Sequence, residues 1–430
     1  MENIKLTLHQ EDILNQSLSI LDNGNRLVIT GKAGTGKTTL VQFLLKELKA
    51  REGRGFKKSI CSAPTNKAVK VLKSKIGVKV SENYFQTTHS ALKLKRNINY
   101  RTGAITFKPS NNYNGDAPLK WVSILIIDEA SMLNSKLLEY IEQFSRNIKV
   151  VFIGDEAQLP PVGEPHSPVF YSDYPTLELT EIIRQKEGNP IIELSRDLSI
   201  IKTKKEKRTS IGGYIFTENL NHVLSTLAHI NGTDELKYLA WTNREVDFIN
   251  AQVRKLIYGN PAKIEIGESL IFNAPYGDYF TNEEIKVNEV KVITINKVAF
   301  SAINPNYNTS NLGASPKIEK KISIKLYIIN GSISVIHEDS ESTYKDIIKE
   351  MKSLIAAKLL SWIDYFNFIE SFADIKYNHA ITVHKSQGST YKQVIINVRD
   401  LNFNKNREER DKLFYTAITR AENLVVLYRI

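Results

Sequence analysis

Short apolar runs with no polar interruption mark the first half of the chain: Leu27-Val28-Ile29, Ile60-Cys61, Ile124-Leu125-Ile126-Ile127 and Val150-Val151-Phe152-Ile153. All four read as strands, and the last two, lacking alternation, predict strands buried on both faces of a parallel sheet. Between them lie stretches of helical period, among them Leu8–Leu14, which Thr7 can cap, and Thr39–Leu45. The strand–helix rhythm fails twice. Over residues 93–120, Lys95–Tyr100 and Ala104–Lys108 read as two strands around Arg101-Thr102-Gly103, a hairpin with a glycine in its turn. Over residues 273–378, Glu289–Val298, Lys321–Ile329 and Ser332–Ile336 predict a small barrel-like β insert, with the turn at Asn330-Gly331. A helical stretch, Tyr344–Phe372, follows it. A second α/β unit starts near Tyr238–Asn243, resumes at Ala380–Val383 and closes with Leu424–Tyr428.

Composition narrows this picture. A chain of 430 residues exceeds the size at which one core stops growing, so more than one domain is expected. With 42% hydrophobic and 24% charged residues it is globular, and disorder is excluded. A net charge of +11 suits an anionic partner without naming one. The single cysteine, Cys61, excludes an intramolecular disulfide framework and fits a reducing compartment. It lies in an apolar strand and reads as a core residue. No stretch approaches the ~18 apolar residues of a membrane span. The N-terminal residues lack a basic-then-apolar signal pattern, so the expected location is cytoplasmic, with no membrane partner.

The chemistry begins at Gly31-Lys32-Ala33-Gly34-Thr35-Gly36-Lys37-Thr38, between an apolar strand and a helix. This fits the phosphate-binding pattern G-x-x-x-x-G-K-[ST] in its required context. Backbone amides of Gly34, Thr35 and Gly36 would close around phosphate oxygens, Lys37 would reach the β- and γ-phosphates, and Thr38 would offer a hydroxyl to Mg²⁺. Asp128-Glu129 ends a buried strand, where an aspartate can hold the Mg²⁺ and the next carboxylate can deprotonate water. Elsewhere such a pair is a helix cap; downstream of a P-loop it reads as catalytic. Gln158, Arg184 and Arg420 are candidates for a γ-phosphate sensor and two arginine fingers, although each alone is an ordinary polar residue.

Taken in order, the segments are Gln10, GKAGTGKTT (31–39), APTNKA (63–68), TTHSAL (87–92), IIDEASM (126–132), GDEAQLPPV (154–162) and Arg184. AWTN (240–243), ITVHKSQGST (381–390) and YTAITRA (415–421) complete the series. This series resembles that of superfamily 1 DNA helicases, in its 5′→3′ RecD-like and Dda-like branch, over nearly the whole chain. The resemblance implies an α/β fold of two RecA-like P-loop domains, residues 1–92 with 121–200 and residues 201–272 with 379–430. It also implies that the hairpin insert, 93–120, is a strand-separating pin, with Tyr100 and Phe107 as its aromatic residues. The insert at 273–378 would be an SH3-like β-barrel with helical additions. The implied activity is ATP-dependent, Mg²⁺-requiring translocation on single-stranded DNA and unwinding of duplex in replication, recombination or repair.

Residue by residue, the resemblance gives Gln10 to adenine, and Gly34, Thr35, Gly36, Lys37, Thr38, Thr39 and Gly388 to the nucleotide. Lys37, Asp128, Glu129, Gln158, Arg184 and Arg420 would be catalytic, with Thr38 and Asp128 holding the metal. Pro64, Thr65, Asn66, Thr87, His89, Thr382, His384 and Lys385 would contact DNA. Expected partners are single-stranded DNA and single-strand/duplex junctions, with replication or recombination proteins; a monomer is expected, in a bacterial or phage-infected cell. Phosphate and stacking contacts alone also suit an RNA helicase, or an ATP-dependent DNA loading factor that does not unwind.

Overall fold

The computed structural model describes residues 5–76, 83–99, 101–109, 119–181, 188–230, 235–303 and 317–429. Tyr100 and Arg184 lie outside the described residues. The first part of the chain forms β1 (Arg26–Gly31), β2 (Ser59–Ala63), β3 (Asn83–Thr87), β4 (Leu94–Ile98), β5 (Ile105–Pro109), β6 (Ile124–Ile127), β7 (Lys149–Gly154) and β8 (Thr176–Leu179). Among the described residues, six of these pair in parallel, in the order β3-β2-β6-β7-β1-β8. The apolar runs are what allow this. Leu27 and Ile29 pack into one core with Leu40, Leu44 and Val151, while Val28 turns into the core on the other face with Ile60, Leu125 and Phe152. Each fully buried Leu, Ile or Val contributes about 1.5–3 kcal/mol to folding.

The chain continues with β9 (Lys207–Thr209), β10 (Gly212–Thr217), β11 (Leu236–Ala240), β12 (Ser269–Phe272), β13 (Glu284–Lys286), β14 (Val290–Ile303), β15 (Lys317–Ile329) and β16 (Ile333–Ile336). It closes with β17 (Ile375–Tyr377), β18 (Ala380–Thr382), β19 (Tyr391–Asn397) and β20 (Ala421–Tyr428). A second six-stranded sheet has the order β18-β11-β19-β20-β10-β9, parallel except for the antiparallel edge strand β9. Helices 190–196 and 407–418 cover it, with Leu194, Phe414 and Ile418 in its core.

Packing divides the chain into two units. One holds both six-stranded sheets, residues 1–94, 109–253 and 379–430. The other holds the β4–β5 hairpin residues 95–108 together with 254–378. This second unit starts well before the composition shift at 273, because β12 pairs with both β13 and β17 and so belongs to the insert. Besides that hairpin, its β part among the described residues has two three-stranded antiparallel sheets, β13-β12-β17 and β14-β15-β16. Leu270 and Phe272 of one share a core with Tyr327, Ile329 and Val335 of the other. The helical stretch Tyr344–Phe372 is made of two helices, Glu341–Ala356 and Trp362–Ile369. The break falls at Lys358, whose φ of +61° leaves the right-handed helical region.

The hairpin turn is longer than the three residues expected. Asn99 N–H donates to Ala104 O (2.9 Å) and Gly103 N–H to Asn99 O (2.8 Å). The Asn99 side chain caps the turn by accepting from Arg101 and Thr102 N–H.

Candidate active site

Strand β1 delivers the chain to Gly31, where a Cβ would stand 2.7 Å from Thr35 Oγ1 and 2.8 Å from Leu179 O. Only glycine fits there. Gly34 and Gly36 take φ of +88° and +80°, which turns the loop into helix Lys37–Glu52. Lys37 Nζ donates to Gly31 O (2.5 Å) and Lys32 O (3.0 Å), folded along the loop it would serve. Gln10 is buried, completes a capping box with Thr7, and donates from Nε2 to Thr35 O (3.3 Å). Its place in the structure is therefore as a brace of the phosphate loop.

Strand β6 ends at Asp128-Glu129. Asp128 accepts from Glu129 N–H (2.9 Å), and Glu129 sits in the left-handed region at φ +55°. A non-glycine residue held there carries backbone strain of order 1 kcal/mol, a feature that gathers at functional sites. Burial, then the neighbouring Asp128 charge, raises the Glu129 carboxyl above the usual range; Arg420, Lys37 and Asp155 modulate it more weakly. A carboxylate raised in this way is a better proton acceptor near neutral pH.

These residues line one cavity of about 350 Å³. Gly34, Gly36, Lys37, Thr38, Thr39, Asp128, Glu129 and Gln158 enter it from the first sheet, and Gly388, Ser389 and Arg420 from the second. The buried Gln158 Oε1 and Ser389 Oγ lack hydrogen-bond partners among the described residues, as expected of groups reserved for a ligand. Thr38 and Asp128 give the all-oxygen donor pair that suits Mg²⁺. The donor set thus fits a metal-bound nucleotide. A larger cleft of about 720 Å³ adjoins it, sharing Ala33, Gly34, Thr390 and Thr419, and reaches Arg196 and Arg208.

Arg420 is buried and held by three acceptors: Thr416 O (3.1 Å), Ser389 O (3.2 Å) and Thr419 Oγ1 (3.2 Å). Gly388 has φ +70°, and a Cβ there would lie 3.0 Å from Ala68 Cβ. The close approach expected at this glycine is made to the Pro64–Val69 segment of the first sheet. It lies at the rim of the same cavity.

The residues expected to meet DNA all lie at or just after carboxyl ends of strands: Pro64, Thr65 and Asn66 after β2, Thr87 and His89 at β3, Thr382, His384 and Lys385 at β18. Three of the threonines have local work as well. Thr65 Oγ1 accepts from Ala68 N–H, Thr87 Oγ1 from Ser90 N–H, and Thr382 Oγ1 from Lys385 N–H. Burial lowers the pKa of His89 and of His384, so near pH 7 both present a neutral ring rather than a charge.

Comparison with known proteins accords with this arrangement. Residues 6–214 match the model of an AAA domain family, and 377–428 that of the UvrD-like helicase C-terminal domain. The ATP-dependent DNA helicase dda of Enterobacteria phage T4 is 26% identical over 94% of this chain and 94% of its own. The RecBCD enzyme subunit RecD of Buchnera aphidicola (subsp. Schizaphis graminum) is 24% identical over 94% of this chain and 70% of its own. Over nearly its whole length the chain is similar to RecD-like and Dda-like superfamily 1 helicases.

The helicase shares its fold with a Bacteroides Pif1 solved bound to single-stranded DNA, at TM-score 0.50 and 18% identity over 99% of this chain and 92% of that one. The helicase site also contains residues that the motif series does not single out. Tyr415 opens the YTAITRA segment, yet only Arg420 is distinguished by charge; its buried hydroxyl reaches Asp155 Oδ2 at 2.6 Å. Leu159 reads as a loop residue but is fully buried in the core of the second sheet. Pairing across 260 positions leaves no local signal.

Proposed function

We propose that this helicase uses ATP to translocate 5′→3′ on single-stranded DNA and to separate duplex DNA, in replication, recombination or repair. One observation carries the reading: a single cavity takes its phosphate loop, carboxylates and glutamine from one parallel sheet and an arginine from another. A nucleotide there would be gripped from both sides, so that gain and loss of the γ-phosphate closes and opens the cleft. Glu129 accepts the proton of the attacking water, and Lys37 and Arg420 offset charge on the transferred phosphoryl group. When bound, Mg²⁺ held by Thr38 and Asp128 would neutralise part of the β- and γ-phosphate charge. Arg184 is proposed as the second finger.

Two features support DNA as the track. The strand-end residues of both sheets present small donors and neutral histidine rings, which suit phosphates and bases. The relative in phage T4 is named a DNA helicase, and the Bacteroides Pif1 binds single-stranded DNA. The β4–β5 hairpin, with Ile105 and Phe107 exposed, is proposed as the strand-separating pin, and residues 254–378 as its SH3-like and helical support. Stimulation of ATP hydrolysis by equal lengths of single-stranded DNA and RNA tests the substrate. The reading expects strong stimulation by DNA; equal or greater stimulation by RNA would favour an RNA helicase.

A further inference from the structure

The segment Asp155–Leu159 leaves β7 of the first sheet but is fastened to the second. Leu159 is fully buried among Leu194, Leu413 and Ala417. Its N–H donates to Thr416 Oγ1 (3.2 Å), and its carbonyl accepts from Gln387 Nε2 (3.0 Å). At the other end of the segment, Tyr415 Oη donates to Asp155 Oδ2 (2.6 Å) and accepts from Ala33 N–H of the phosphate loop (3.2 Å). Asp155 Oδ1 in turn accepts from Ala157 N–H (3.1 Å), fixing the turn that carries Gln158.

We propose that Tyr415 is a positioning residue for ATP hydrolysis: its one hydroxyl ties the phosphate loop to Asp155 and so sets where Gln158 stands in the cavity. The proposal rests on the ATPase reading above and adds to it a residue that touches no reacting atom. The hydrogen bond is of the strong, charge-assisted kind, a hydroxyl on a buried carboxylate. Burial and the Asp155 charge keep the phenol protonated, so the donor role persists at every working pH. Because the segment is fastened to the second sheet at Leu159, Gln158 follows that sheet when the cleft moves. Tyr415 is where this movement meets the phosphate loop.

The test compares the full-length wild type with Tyr415→Phe, Asp155→Asn and the double variant. Phe keeps the ring packing and removes only the hydroxyl. In each single variant kcat for DNA-stimulated ATP hydrolysis should fall about tenfold or more, while KM for ATP stays within about threefold. The double variant should be no worse than about threefold below the weaker single, because both remove one shared contact. Independently of activity, hydrogen exchange in Tyr415→Phe should quicken in peptides spanning 32–35 and 155–159 and not in 212–217. Unchanged exchange in the first two peptides, or kcat within about twofold of a wild type that hydrolyses ATP, would overturn the proposal. So would single effects that multiply. A wild type without ATPase activity would instead overturn the helicase reading, leaving the exchange result to decide the role of the hydroxyl. If Tyr415→Phe does not fold, Asp155→Asn carries the same kinetic and exchange expectations.

Discussion

Gly103, in the turn of the β4–β5 hairpin, lies flush against the indole of Trp362: a Cβ on it would stand 2.6 Å from Trp362 Cδ2. The turn needs glycine twice over, for this contact and for its φ of +69°. Arg96 on the same hairpin pairs with Glu370 and lies 5.0 Å from the Phe366 ring. The hairpin is thus backed by the helix Trp362–Ile369, 259 positions away in the chain at the Gly103–Trp362 contact (362 minus 103). In its proposed role as a strand-separating pin the hairpin would have to resist bending, and this contact with Trp362 would supply that resistance. Trp362→Ala should lower the unwinding rate by about tenfold and leave single-strand-stimulated ATP hydrolysis within about twofold, a difference in barrier of roughly 1.4 kcal/mol. Equal loss of both activities would place Trp362 in general stability instead.

The cavity assigns different losses to Lys37 and Arg420. Lys37→Ala should abolish hydrolysis, since it removes the ammonium that the phosphate loop carries into the cavity. Arg420→Ala should keep nucleotide binding and lose turnover by about 10²-fold or more, because the guanidinium acts on charge that develops late. Nucleotide affinity by fluorescence titration, with steady-state turnover, separates these outcomes. Normal turnover in either variant would reject the role given to it.

Gly388→Ala tests the close approach of the two sheets at the cavity rim. The new methyl meets Ala68 Cβ at 3.0 Å in a backbone that disfavours it. Denaturant titration should show a loss of about 1–2 kcal/mol, accompanied by a fall in kcat.

Cys61 is fully buried, and burial, assisted by the Asp128 charge, pushes its thiol up to about 12. In the folded protein at pH 8 the thiolate is on the order of one part in ten thousand, so alkylation should await unfolding. The raised pKa also sets a sign. The folded state holds the thiol proton that the unfolded chain releases from about pH 9, so this contribution to stability is present below pH 9 and is lost as pH rises toward 12. Stability of wild type relative to Cys61→Ala, measured by denaturant titration, should fall across that window; a flat difference would contradict the assignment.

Much of this architecture is legible in the chain because its determinants are local. The unbroken apolar runs at Ile124–Ile127 and Val150–Ile153 are strands, since only the interior of a parallel sheet hides both faces. The P-loop glycines announce their positive φ by having no side chain. The contacts of Gly388 were expected to be with ligand, and the structure adds Ala68, a partner 320 positions away (388 minus 68). Where the helical stretch Tyr344–Phe372 divides is not legible, because the break is marked by Lys358 in a left-handed conformation that no local residue pattern demands. Tyr415 and Asp155 show the same limit. Neither is unusual in its own segment, and their bond exists only because two sheets meet.

The most direct test of the account is unwinding, with ATP and Mg²⁺, of one duplex carrying a single-stranded tail only at its 5′ end or only at its 3′ end. The account predicts strand separation from the 5′-tailed duplex, none from the 3′-tailed one, and none from either with Lys37→Ala. Separation from the 3′ tail alone, or brisk DNA-stimulated ATP hydrolysis with no separation of either duplex, would contradict it.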